Sequence, residues 1–94
     1  MTANRKRIGD AAELKEQRRL ESEGWAVFPL SPSFEGVDLI AVRDGWIALV
    51  EVKSSRLYGQ ERVRALQKLM DAAQYLRDLA EPYNVTQWLV EGDG

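Results

Sequence analysis

The chain has 94 residues, enough for one hydrophobic core and no separate second module, so a single domain over residues 1–94 is expected. Its 45% hydrophobic and 30% charged residues are those of a folded globular protein and exclude a disordered chain. With no Cys and no His, disulfides, thiol nucleophiles, cysteine zinc sites and a histidine base are excluded, and the net charge of −2 supplies no overall basic field for a nucleic acid.

The first predicted element is a helix from Ile8 to Glu23, where strong helix formers dominate and Gly24 supplies the stop. Counting by three and four from Gly9 passes Glu13, Gln17 and Leu20, which places Glu13 one turn after a glycine on the same stripe. Read on its own, Glu13 is an exposed helix acid. Trp25 to Leu30 reads as a short strand, rich in residues that suit a pleated surface. Ser31-Pro32-Ser33-Phe34-Glu35-Gly36 has turn composition and is expected to be an irregular loop.

Two apolar, β-branched runs then flank Asp44-Gly45, a dipeptide suited to a two-residue type I′ turn because both positions need φ > 0. That turn sets the register, with Val42 opposite Ile47, Ile40 opposite Leu49 and Asp38 opposite Glu51. Lys53 follows Glu51 on the same face. The alternate residues Val37, Leu39, Ala41, Ala48, Val50 and Val52 are apolar as well, so both faces of the hairpin should be covered. Directly opposed side chains lie roughly 4.5–5.5 Å apart at Cβ, where like charges repel. Two carboxylates therefore need a cation. Lys53 supplies one, and two acids beside a lysine also make a hard-oxygen set suited to Mg²⁺. The alternative is an ordinary surface ion pair at a solvated hairpin end.

Ser54 to Gly59 reads as a loop whose Ser54, Arg56 and Tyr58 side chains suit phosphate. Gln60 to Ala80 is the longest predicted helix, with a broad apolar stripe of Val63, Leu66, Leu69, Met70, Ala73, Leu76, Leu79 and Ala80. Pro82 ends it, and Asn84 to Glu91 reads as a final strand. Basic residues gather at Arg5-Lys6-Arg7, at Lys15, Arg18 and Arg19, and at Arg56, Arg62, Arg64 and Lys68, against a background reading of solvated helix surface. No apolar run is long enough to span a membrane and the N-terminus carries no export segment, so a cytoplasmic location is expected. The order of elements is αβββαβ, and pattern alone leaves α/β and α+β both open.

Asp38 followed by Glu51-Val52-Lys53 resembles the Asp…Glu-x-Lys signature of the PD-(D/E)xK nuclease superfamily, most closely the small archaeal-type Holliday junction resolvases and their phage relatives. Gly9-Asp10-Ala11-Ala12-Glu13 is similar to the Gly-x-x-x-Glu segment of that family's first helix, and Gly24-Trp25-Ala26-Val27-Phe28 to the strand after it. The resemblance covers roughly Arg5 to Lys53, with weaker agreement to Glu91. It implies an α/β, restriction-endonuclease-like fold, a mixed central sheet flanked by helices.

The resemblance further implies a Mg²⁺-dependent endodeoxyribonuclease, with Mn²⁺ as a substitute, acting on branched DNA. Asp38, Glu51, the Val52 backbone carbonyl and Glu13 would be its metal ligands, and Lys53 would orient the attacking water. Arg5, Lys6, Arg7, Ser31, Ser33, Ser54 and Arg56 are the expected DNA contacts. Related resolvases carry an arginine and a serine ahead of the first catalytic strand, whereas this chain has Phe28-Pro29-Leu30 and offers Ser31 or Ser33 at shifted spacing, so a plain connecting loop is the alternative there. Cutting two strands symmetrically calls for two active sites, hence a C2 homodimer, for which Trp46, Trp88 and Phe34 are interface candidates. No small-molecule cofactor and no membrane is expected as a partner. The alternatives are a flap or repair nuclease of the same superfamily, or a non-catalytic DNA-binding or protein-interaction module that keeps the fold.

Overall fold

In a computed structural model of the chain, the backbone is described for residues 2–92 and the side chains for residues 10–92. The element order is α1 (Thr2–Ser22), β1 (Ala26–Phe34), β2 (Val37–Arg43), β3 (Trp46–Lys53), α2 (Gly59–Leu79) and β4 (Asn84–Glu91). The strands form one mixed sheet in the order β1-β2-β3-β4. The first three make an antiparallel meander, and β4 returns beside β3 in parallel through the α2 crossover. This is the αβββαβ, α/β arrangement expected from the sequence.

The β2–β3 hairpin has the expected register, with Ile40 opposite Leu49, Val42 opposite Ile47 and Arg43 opposite Trp46. Its turn has φ of 47° at Asp44 and 83° at Gly45, the two positive values that a type I′ turn demands. Both sheet faces are covered. On one, Leu39, Ala41, Ala48, Val50 and Val52 pack with Leu20 of α1. The pairing of Ala41 with Ala48 at the centre of this face keeps the side-chain layer thin beneath the helix. On the other face, Val37, Leu49 and Val85 pack with Leu69 and Ala73 of α2.

α1 ends in a Schellman motif, in which Trp25 N–H donates to Leu20 O and Gly24 N–H to Glu21 O, both at 3.1 Å. Gly24 adopts a φ of 94° there, and Trp25 packs with Leu20 in the same core. The Arg43 guanidinium crosses Gly24 and donates to the Glu23 carbonyl, a cation placed at the negative end of the helix.

Three expectations are corrected. α1 starts at Thr2 rather than Ile8, because nothing in the preceding residues breaks a helix. The stretch Ser31–Phe34 is strand, not loop: β1 runs on to Phe34 through an irregularity between Pro29 and Phe34. It lies at the edge of the sheet, where prolines remove no ladder bond that a neighbour requires. Only Glu35 and Gly36 turn, with φ of 52° and 82°. The α2 stripe is also wider than the surface that it covers. Leu69 and Ala73 are buried, but α2 leans on β4 and β3, so Val63, Met70 and Leu79 remain exposed. Among the described residues, no helix is long and apolar enough to cross a membrane.

Candidate functional site

The β2–β3 ladder closes at Leu39 opposite Val50 and opens beyond it. Asp38 does not face Glu51 as a ladder partner, as the register alone suggests. Its side chain substitutes for the missing strand instead, with Val52 N–H donating to Asp38 Oδ2 at 2.8 Å. Asp38 is thereby fixed across the fork between the two strands, with one carboxylate oxygen committed to the backbone.

Glu51 lies on β3 at the same level and is 4% exposed. Lys53 follows it on the same face, and its Nζ lies 3.2 Å from Glu51 Oε1, as the period of two requires. The other carboxylate oxygen, Oε2, is buried and has no hydrogen-bond partner. Burial pushes the Glu51 carboxyl above its ordinary range, Lys53 pulls it back, Asp38 adds to the rise, and Lys68 on α2 opposes it. An unpaired oxygen of a buried acid costs stability unless something positive or hydrogen-bonding meets it.

The turn between β1 and β2 shapes the pocket of that oxygen. At Gly36 a Cβ would sit 2.9 Å from Glu51 Oε2, and φ is already in the left-handed region. The left-handed φ is what favours glycine here, and a Cβ would in addition press on the Glu51 carboxylate tip. Gly36→Ala is expected to destabilise the protein by about 1–2 kcal/mol, a fall of several degrees in Tm that thermal unfolding followed by circular dichroism measures. The sequence marks Gly36 as part of the motif but carries no sign of its contact with Glu51, because the two residues are brought together only by the fork.

Glu13 reaches the site from α1. Its carboxyl is raised by burial first, then by the charge of Asp38, by a hydrogen bond to Asp38 and by the charge of Asp10 one turn earlier. Glu13 and Asp38 line one cleft of about 390 Å³ between α1 and β1, together with Asp10, Ser31 and Ser33. Both serines thus stand in the same cleft as two of the acids, and β1 carries them there as an edge strand. A larger cavity of about 500 Å³ lies over the other face, lined by Leu30, Phe34, Val37, Ile40, Tyr75 and Leu76 among others. Its lining is mainly apolar with Glu35, Lys68 and Asp71 among it, whereas the smaller cleft holds the acids Asp10, Glu13 and Asp38.

The structure thus brings Glu13 to Asp38, Asp38 to Glu51, and Glu51 to Lys53. Among the described residues, no three acidic side chains converge into a ready-made metal cage. Ser54 and Arg56 are exposed on the loop that leaves β3. Arg5, Lys6 and Arg7 lie on the first turns of α1, and their side chains fall outside the described residues. Of the aromatic interface candidates, Phe34 and Trp46 are exposed, while Trp88 is half-buried in an edge-to-face pair with Trp25 at 5.3 Å between ring centroids. Sequence reasoning missed Glu16, a buried acid one turn beyond Glu13 that Arg19 grips through both carboxylate oxygens. The i, i+3 spacing of Glu16 and Arg19 was a visible signal for that pair.

Comparison with curated proteins finds no match. A family model described as archaeal Holliday junction resolvase matches residues 4–80, a segment that holds Glu13, Asp38, Glu51 and Lys53. Matched over most of its length, with the fork acids and lysine inside the matched segment, the chain belongs to the archaeal Holliday junction resolvase family, and its function is that of a resolvase-like nuclease.

Proposed function

We propose that this protein is a metal-dependent endonuclease that cuts four-way DNA junctions by phosphodiester hydrolysis at the fork of β2 and β3. The observation that carries the metal is Glu51 Oε2, an orphaned oxygen on a buried carboxylate beside Asp38. A hard divalent cation is the partner such an oxygen fits, since carboxylates and carbonyls are its preferred ligands. Asp38, Glu51 and the Val52 backbone carbonyl would hold Mg²⁺ or Mn²⁺, with Glu13 contributing directly or through water. When bound, the cation supplies an acidified water and neutralises charge that develops on the phosphate.

The side chains do the rest. Asp38 is locked by Val52 N–H, so its free oxygen points from a fixed frame. Lys53, half-exposed and paired to Glu51 Oε1, stands at the solvent side of the acids, where its ammonium orients the attacking water by hydrogen bonding to its oxygen. Ser31 and Ser33 offer hydroxyls to the phosphate in the Glu13–Asp38 cleft, and Ser54, Arg56, Arg5, Lys6 and Arg7 contact the flanking backbone. The carboxylates carry the chemistry without any Cys or His, and no small-molecule cofactor enters.

Two cuts of a symmetric junction require two copies of this site, and we infer a C2 homodimer. The apolar cavity between α2 and the β1–β2 hairpin supports it. Phe34 at 68% and Tyr75 at 68% exposure border it, and Glu35 and Lys68 give it opposite charges that a two-fold partner can pair. We place the protein in the cytoplasm, where DNA intermediates of this kind are processed.

The test is cleavage of labelled four-way junction, flap and linear duplex in Mg²⁺ or in EDTA. Junction cleavage that needs Mg²⁺ is expected. Cleavage of flap or duplex alone would move the substrate to a flap or repair nuclease, and binding without any cleavage would reduce the protein to a non-catalytic module of the same fold.

A further inference from the structure

The strand that backs the catalytic lysine lies beyond the family-matched segment, which ends at residue 80. β4 pairs in parallel with β3 along the site itself, with Leu89 beside Glu51, Val90 beside Val52 and Glu91 beside Lys53. One residue further on, Gly92 N–H donates to the Lys53 carbonyl at 2.9 Å. There is no room for a side chain at that point. A Cβ on Gly92 would overlap the Ser54 carbonyl oxygen and lie 2.7 Å from the carbonyl carbon. The obstacle is backbone, which cannot swing aside as a flexible side-chain tip would.

The same end of β4 is fastened to α2, since Arg62 Nε donates to Glu91 Oε1 at 2.8 Å. The chain leaves the sheet immediately after Lys53, so this grip is the last fixed point before the loop. Lys53 needs such a point. Its side chain is half-exposed, and its ammonium must stand beside Glu51 to serve the fork.

We propose that Gly92 is a positioning residue for the nuclease reaction. Its bare backbone lets β4 close on Lys53 and Ser54, which sets where the Lys53 ammonium stands relative to Asp38 and Glu51. The inference rests on the nuclease reading above. The competing explanation is a strand-end hydrogen bond that adds stability and nothing else, and Val85 provides the contrast. It is buried in the same strand at the far end from the fork, so Val85→Ala weakens β4 without touching Lys53.

The experiment uses the full chain as wild type, Gly92→Ala, Glu91→Ala and Val85→Ala. It reads single-turnover junction cleavage, junction affinity, Tm, and the ¹³C-¹H resonance of the Lys53 ε-methylene in metal-free, DNA-free protein. With only four lysines in the chain, Lys53→Ala assigns that resonance. Misplacing a catalytic group by an ångström costs about 10²-fold in rate. Gly92→Ala is therefore expected to lose about that much cleavage at unchanged junction affinity, with the Lys53 resonance shifted. Glu91→Ala should move both readouts the same way and less far, and it decides the matter if Gly92→Ala does not fold. Val85→Ala should lower Tm with rate and resonance unchanged.

Wild-type cleavage in Gly92→Ala, or a loss that tracks Tm equally in Gly92→Ala and Val85→Ala, overturns the proposal. If wild type cleaves neither junction, flap nor duplex, the nuclease reading fails, and the Lys53 resonance alone decides whether Gly92 sets where the lysine stands: a shift in Gly92→Ala supports that placement and an unmoved resonance sinks it.

Discussion

Asp38→Asn should abolish junction cleavage while leaving junction binding and the fold intact. The substitution keeps an oxygen able to accept from Val52 N–H at the position where Asp38 Oδ2 accepts now, so the fork holds its shape. What it removes is the negative charge that a divalent cation requires beside Glu51. Metal stabilisation of transition-state charge is worth several kcal/mol, and each 1.36 kcal/mol is a factor of ten in rate, so a loss of about 10³-fold or more is expected. Single-turnover cleavage measures the rate, and a gel-shift titration in Ca²⁺ measures the binding. A fall in binding equal to the fall in rate would show that Asp38 works by holding DNA.

Glu51→Gln should do something less intuitive, ending cleavage while making the metal-free protein more stable at neutral pH. The buried Glu51 carboxyl has its folded-state pKa raised above 4.5, chiefly by burial. For an acid, a raised folded pKa means that the folded state favours the protonated form. The penalty is therefore absent below the unfolded value near 4.5, grows as pH rises through the folded value, and is complete above it. Once ionised, Glu51 is a buried carboxylate with one unpartnered oxygen. Gln removes the charge and keeps an oxygen for Lys53.

We expect a gain of about 1 kcal/mol, or about 4–8 °C in Tm for a domain of this size, at pH 7. The difference should shrink to nothing as pH falls below 4.5. Thermal unfolding of both proteins across pH 4–8 measures it. A Glu51→Gln variant less stable than wild type at pH 7 would mean that the carboxylate is satisfied in the metal-free fold, and the main structural support for a metal there would be gone.

These two residues also show what the sequence made legible. The Asp44-Gly45 turn and the alternation on either side were sufficient for the hairpin, its register and the pairing of Lys53 with Glu51, because turn chemistry and a period of two are local properties. Where the ladder ends was not legible. The bond from Val52 N–H to Asp38 depends on β2 parting from β3, and that depends on β1 turning back through Glu35 and Gly36. Ser31 to Phe34 read as loop because Ser and Pro are turn formers, and only an edge position makes them tolerable in a strand. Gly92 gave no signal at all, since its need for a bare backbone comes from Ser54, which is distant in the chain and adjacent only through the parallel β3–β4 pairing. Glu13 was legible as a candidate site residue through family resemblance alone; its own surroundings in sequence are those of any helix acid.

The most direct test of a metal-dependent hydrolytic fork is single-turnover cleavage of a labelled four-way junction by wild type, Asp38→Asn and Lys53→Ala, each with Mg²⁺ or EDTA. Wild type is expected to cleave in Mg²⁺ and not in EDTA, and both variants to lose cleavage while all three proteins still bind the junction. Wild-type cleavage that persists in EDTA, or undiminished cleavage by either variant in Mg²⁺, would contradict a metal-dependent fork.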